Sequence, residues 1–142
     1  MSILKSVKNY VTGGAADVHV EISNPVLNGN ESIRGTVKVT SKDNLFVPEV
    51  YCELRALEKS ENEIILYADR IVLQKDIQLG EGDQKSWEFE MTIPAAAPTT
   101  FIGRHSSLKW SLRGGLDLKG VDPKSKWAPF VVNRATVFEP QS

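Results

Sequence analysis

The stretch IPAAAPTTFIGRHSSLKWSLRGGLDL, residues 93–118, decides how the chain is read. Its first part cannot lie inside a sheet, because Pro94 and Pro98 each lack the backbone N–H that a ladder requires. Its second part is built for nothing else. Leu108, Trp110, Leu112, Leu116 and Leu118 recur at every second position, with Gly114 in phase and polar residues mostly between, which is the period of a strand with one dry face. A dry face needs a second layer to cover it, so residues 94–100 are expected to form an extended crossover from one sheet to the other. Gly103 and the pair Gly114 and Gly115 are expected to bend or bulge the long strand so that it follows a twisted sheet.

The same period runs outward in both directions. Val18, Val20 and Ile22 alternate with His19 and Glu21, and NPVLNGNES then reads as a turn-rich loop. Ile33, Gly35, Val37 and Val39 make a second strand, and Val50, Cys52, Leu54 and Ala56 a third, with Tyr51, Glu53 and Arg55 on the polar phase. Residues 64–79 form a longer β-rich region with Ile71, Leu73, Ile77 and Leu79 in phase. Trp87, Phe89, Met91 and Ile93 follow, then the 108–118 strand, and finally FVVNRATVF. Seven strand candidates of this kind can bury their apolar faces by packing two antiparallel sheets about 10 Å apart. The predicted class is all-β, an immunoglobulin-like antiparallel β-sandwich, with a closed barrel as the structural alternative.

A chain of 142 residues is one domain's length, and it can bury enough surface for a core without metal or disulfide staples. Its single cysteine, Cys52, cannot pair within the chain, and the first apolar cluster is short and broken by Lys5 and Lys8. Both point to a reducing, cytoplasmic setting. No run reaches the roughly 18 apolar residues of a membrane span. With 17 basic and 18 acidic residues, a net charge of -1 offers no general attraction to nucleic acid. Charge is unevenly spread, however: residues 43–90 hold 12 acidic and 5 basic residues, whereas 101–142 hold 7 basic and 3 acidic. Only residues 1–14 break the β pattern. There Ile3, Leu4, Val7, Tyr10 and Val11 fall at helical spacing with Lys5 and Lys8 beside them. This amphipathic segment, helical or irregular, either packs on its own sandwich or touches a partner or an anionic, peripheral membrane surface. The remaining divisions are a sandwich domain over 15–138 and a tail over 139–142.

GGAADVHVEI, NESIRGTVKV, the 93–118 stretch and APFVV together resemble the arrestin-like clan, across roughly residues 15–135. The likeness is strongest to the sporulation-control proteins of bacteria and archaea, and more distant to the arrestin amino-terminal domain and the arrestin-fold retromer subunit. Its cues are Gly35 within the second strand, the run from Ile93 through Pro94 and Pro98 to Phe101 and Gly103, and a Trp-x-Leu strand ending in Leu-Asp, here Trp110, Leu112, Leu116 and Asp117. These are motif positions of structural weight. The resemblance implies a sandwich that serves as a non-catalytic adaptor or scaffold, in regulation or trafficking, with no cofactor. Arrestins usually pair two such sandwiches and this chain holds one, so their phosphate-sensing arrangement is not carried over. Their usual Pro-Gly before the second strand is replaced by NGNES, which can reverse the chain through Asn28, Gly29 and Asn30.

Residues suited to chemistry are sparse. His19 lies on the polar phase of a strand and His105 in the turn after Gly103, neither near a second metal ligand in sequence. RHSS sets His105 beside Ser106 and Ser107 but without the G-x-S-x-G elbow of a hydrolase. Trp127, in DPKSKWAPF, falls outside any alternation and reads either as a plug over one end of the sandwich or as an exposed docking residue. Lys109, Arg113, Lys119, Lys124 and Lys126 surround it in sequence as a basic patch or a solvated face. Two function classes follow. One is an adaptor that offers a strand edge or sheet face to a protein partner, or to a second copy as a homodimer. The other is a small-ligand binder or hydrolase using the His105 turn and the Trp127 region.

Overall fold

The computed structural model describes residues 14–134. The expected 1–14 segment, with Ile3, Leu4, Lys5, Val7 and Lys8, thus falls almost wholly outside the described residues, as does the tail. Among the described residues nine strands follow in chain order: β1 (Ala16–Ile22), β2 (Val26–Asn28), β3 (Ser32–Ser41), β4 (Leu45–Lys59), β5 (Glu63–Leu79), β6 (Gln84–Thr92), β7 (Phe101–Ile102), β8 (Ser107–Asp117) and β9 (Ala128–Asn133). Three of them form a sheet in the order β1-β3-β6. The larger sheet runs β2-β9-β8-β4-β5, with β7 paired to the start of β8. The chain is an all-β sandwich.

Alternation explains the core. Val18, Val20, Ile33, Val37, Val39, Phe89 and Met91 point inward from the smaller sheet, and Val50, Cys52, Leu54, Ala56, Leu108, Trp110, Leu112, Leu116, Phe130 and Val132 from the larger one. All are buried, each large side chain contributing about 1.5–3 kcal/mol relative to exposure. Residues 94–100 do cross from β6 of one sheet to β7 and β8 of the other. Their docking uses acceptors that proline retains: the Ala97 N–H donates to the Pro94 carbonyl (3.0 Å), and the buried Trp110 Nε1–H donates to that of Pro98 (2.8 Å). Thr100 then clips onto β9, its N–H donating to the Val132 carbonyl while its hydroxyl accepts from the Val132 N–H. Phe101 follows on β7 and is half exposed.

Several expectations change. NPVLNGNES is not all loop: Val26–Asn28 pairs parallel to Val131–Asn133, so the architecture is mixed rather than purely antiparallel. Three residues are too few for a period of two to announce a strand. The chain does reverse at Asn30, whose φ of 74° is left-handed. Gly114 and Gly115 mark no bulge, because β8 pairs with β4 in unbroken register from Glu49↔Asp117 to Lys59↔Ser107. The shifts occur between β4 and β5 instead, at Val50/Tyr51 and Ala56/Leu57. The paired glycines allow close approach: a Cβ on Gly114 would stand 2.7 Å from Val37 Cγ1 of the facing sheet, and one on Gly115 would overlap the Tyr51 ring. Gly103 lies in the β7–β8 turn, its N–H donating to the Ser106 carbonyl (2.8 Å), rather than bending the long strand. Trp87 is only partly buried, since it sits where β6 meets β5 at the sandwich edge and its Nε1–H donates to Gln74 Oε1 (2.7 Å).

Gly35 carries a sharper constraint. It is paired with Ile22 of β1 and Phe89 of β6, and a Cβ there would overlap both the Glu21 carbonyl oxygen and the Phe89 ring. Strand propensity alone favours alanine over glycine, but overpacking in the middle strand of a sheet outweighs it. Gly35→Ala is expected to lower stability by about 2 kcal/mol or more; an unchanged urea midpoint would mean that β1 and Phe89 move aside freely.

Cys52 gives a pH signature. Burial foremost, and then the nearby Glu53 charge, push its thiol from an ordinary 9.0 up to about 12. The fold therefore favours the neutral thiol, and its contribution is complete below pH 9 and lost as pH rises towards the folded value. Stability should be flat near neutrality and fall in that alkaline window, with a shallower fall in Cys52→Ala. A thiol reagent at neutral pH should label Cys52 only at the rate of unfolding, and rapid native labelling would contradict this account.

Candidate functional site on the outer face of the larger sheet

Register decides which polar side chains meet on the outward face of β4, β5 and β8. Glu53 stands opposite Arg70 on one side and Arg113 on the other, while Arg55 stands opposite Ala68 and Ser111. The loop after β8 returns along that strand's free side, with Leu116 N–H donating to the Pro123 carbonyl and Ser125 N–H to that of Gly114. Gly114 N–H in turn donates to Ser125 Oγ (3.0 Å). This return places Trp127 against the outer face.

Trp127 is the hub of what results. The Arg55 guanidinium lies 4.0 Å from its ring centroid and that of Arg113 4.1 Å. It lies on the outer face rather than over an end of the sandwich, half-buried and stacked on outward-facing arginines. Arg113 Nε also donates to Glu53 Oε1 (2.5 Å), a pair whose side chains are both about one quarter exposed or less. Tyr51, on the expected polar phase, is wholly buried. The absent side chain of Gly115 leaves room for its ring, the Arg70 guanidinium covers it at 3.6 Å, and its hydroxyl donates to Asp122 Oδ2 (3.0 Å). Burial first, and then the Asp122 hydrogen bond, hold its phenol above the usual range.

Two clefts flank Trp127. One of about 430 Å³ lies on the outer face between Trp127 and β5, lined by Arg55, Arg70, Arg113, Glu53, Ile65 and Ala68 among others. The second, of about 830 Å³, opens between β1 at Val18–Val20 and the return loop at Lys124, Ser125 and Lys126. Of the basic residues near Trp127 in sequence, Arg113, Lys124 and Lys126 line these clefts and Lys109 and Lys119 do not. Arg55, Arg70, Glu53, Tyr51 and Asp122 are additions that sequence reasoning missed, because they converge only through cross-strand register. His105 is exposed in the β7–β8 turn of the larger sheet, whereas His19 is exposed on β1 of the smaller one, so the two do not meet. Asp117 ends β8, and no group of three or more potential metal ligands occurs among the described residues.

Each cation–π contact is worth about 0.5–1 kcal/mol when partly exposed, and Trp127 adds apolar contact area. Trp127→Ala is accordingly expected to cost about 1–3 kcal/mol with the sandwich retained, and Trp127→Phe less. Trp127→Leu keeps apolar bulk and removes the ring, and a loss no larger than that of Trp127→Phe would show that packing, not ring electrostatics, holds the loop.

Two comparisons place the chain among known proteins. The profile of the Spo0M family, described as SpoOM protein, matches residues 4–128. Among solved structures the chain is similar to Spo0M, sporulation control protein, from Bacillus subtilis, at 18% identity and a TM-score of 0.68 over 87% of this chain and 51% of that one. No curated protein matches. The chain thus spans about half the length of the solved relative, and the likeness at that identity concerns the fold, an arrestin-like β-sandwich. With the family profile running through β1 to the start of β9, the chain belongs to the Spo0M family.

Proposed function

We propose that this chain is a non-catalytic, cytoplasmic adaptor domain that binds an extended protein segment along the free edge of β5. The observation that carries this reading is β5 itself. It is 17 residues long, pairs among the described residues only with β4, and leaves Ile64, Ile65, Leu66 and Val72 between 42% and 56% exposed. An edge strand that long, with apolar side chains in water, is what proteins ordinarily blunt with charge, proline or brevity. The other edges are short or charged throughout: β2 has three residues, β1 carries Asp17, His19 and Glu21, and β6 carries Lys85, Glu88 and Glu90, whereas the charges of β5 (Glu63, Asp69, Arg70, Lys75 and Asp76) leave its 64–68 stretch uncharged. An added strand would satisfy the unpaired N–H and C=O groups of β5 and cover its apolar side chains. A second copy of the chain could supply that strand, giving concentration-dependent dimers.

Extended peptides selected from a display library on the folded chain test this reading. Binding is expected to protect amides of residues 63–79 from hydrogen exchange and to fall at least tenfold in the Ile64→Lys/Leu66→Lys variant, whose thermal midpoint should be unchanged because both positions are solvent-exposed. Protection confined to β1 or β6, or binding indifferent to the two lysines, would move the partner site elsewhere.

A further inference from the structure

The geometry points to the outer-face cleft beside Trp127 as a binding site for a small organic oxyanion, a carboxylate or phosphate monoester carried on an apolar body. Arginine binds such groups through the N–H edge of its planar guanidinium, and the aromatic faces here occupy the planes instead. Arg55 stacks on Trp127 and Arg70 on Tyr51, which restricts both side chains while leaving N–H edges for a ligand. Less rotamer freedom is then lost on binding.

Charge on this face is incompletely matched. Glu53 pairs with Arg113, and Asp69 accepts from the Arg70 backbone N–H (2.8 Å). Among the described residues neither Arg55 nor Arg70 forms an ion pair, and Arg55 Nε is buried with no hydrogen-bond partner. An unmatched buried Nε–H makes the Arg55 charge costly to hold there, and an oxyanion at the terminal N–H groups of the same guanidinium offsets that cost by charge rather than by meeting Nε. The apolar part of the ligand has its own surface. Ala68, opposite Arg55, leaves space at the edge of β5, and Ile65 and Trp127 bound it. A bare inorganic anion would leave that surface in water, so the site fits an anion with a hydrophobic body.

Arginine Nε–H and tryptophan Nε1–H resonances, followed by NMR during titration with phenyl phosphate, benzoate and neutral benzamide, test this on the intact chain. Saturable shifts at Arg55, Arg70 and Trp127 are expected with at least one of the two anions, and binding of benzamide at least tenfold weaker. Arg70→Met, at an exposed position, and Arg55→Lys, which keeps the charge but loses the planar fork, should each weaken binding severalfold. Lys124→Met/Lys126→Met, in the second cleft, should not. Absence of saturable shifts with both anions, equal affinity for benzamide, or unchanged affinity in both arginine variants would overturn the inference. None of these outcomes depends on peptide binding at β5.

Discussion

The buried indole of Trp110 is the interaction on which the rest of the sandwich depends. It is wholly enclosed, with Tyr67 of β5 and Phe130 of β9 at 5.5 and 5.9 Å between ring centroids, so it joins three strands of the larger sheet. Such a ring can be buried only if its N–H finds an acceptor. The acceptor is the carbonyl of Pro98, a residue that cannot belong to a ladder as a donor but keeps its oxygen. That one bond fixes the crossover over the larger sheet, and from there Thr100 seals to β9 and β7 reaches the start of β8. Proline-rich crossover and alternating strand are therefore parts of one device.

Close approach of the two sheets is the complementary constraint. β8 presents Leu108, Trp110, Leu112, Gly114 and Leu116 inward in sequence, bulky except at one point. At that point Val37 and Val20 of the facing sheet fill the room that a side chain would take. Gly35 does the same within the smaller sheet for Phe89. A large ring and an absent side chain on neighbouring positions let the layers interdigitate at interior density.

Which parts were legible in the sequence follows from what each depended on. Strands β1, β3, β4, β6 and β8 announce themselves because burial on one face writes a period of two. β2 and β7 are too short to write any period. The 64–66 run of Ile64, Ile65 and Leu66 is apolar by composition yet lies half exposed near the start of an edge strand, whereas Ile71, Leu73, Ile77 and Leu79 further along it pack on the core. Tyr51 reads as exposed by phase and is buried by tertiary neighbours, Asp122 and Arg70, that no local pattern connects to it. The cleft was half visible: Trp127 and its basic neighbours stand together in the chain, whereas Arg55 and Arg70 reach the same place through the β8-β4-β5 register. Register is set by turns, bulges and total burial, and periodicity does not report it.

Edge and cleft share a strand, and that has consequences for how each is perturbed. Side chains of β5 alternate between faces except at the register shift opposite Ala56/Leu57, which brings Ile65 onto the cleft side with Ala68 and Arg70, while the backbone of the same strand forms its outer edge. Ile64 and Leu66 are exposed on β5 but do not line the cleft, and Arg55, on β4, lines the cleft but has both its ladder sides occupied by β5 and β8. Charge placed at 64 and 66 therefore acts on strand pairing, and loss of the guanidinium at 55 acts on the anion. A ligand that responded to both sets would have to lie along β5 and turn side chains over its outer face towards Trp127, which an extended chain with acidic residues at alternate positions can do and a compact anion cannot.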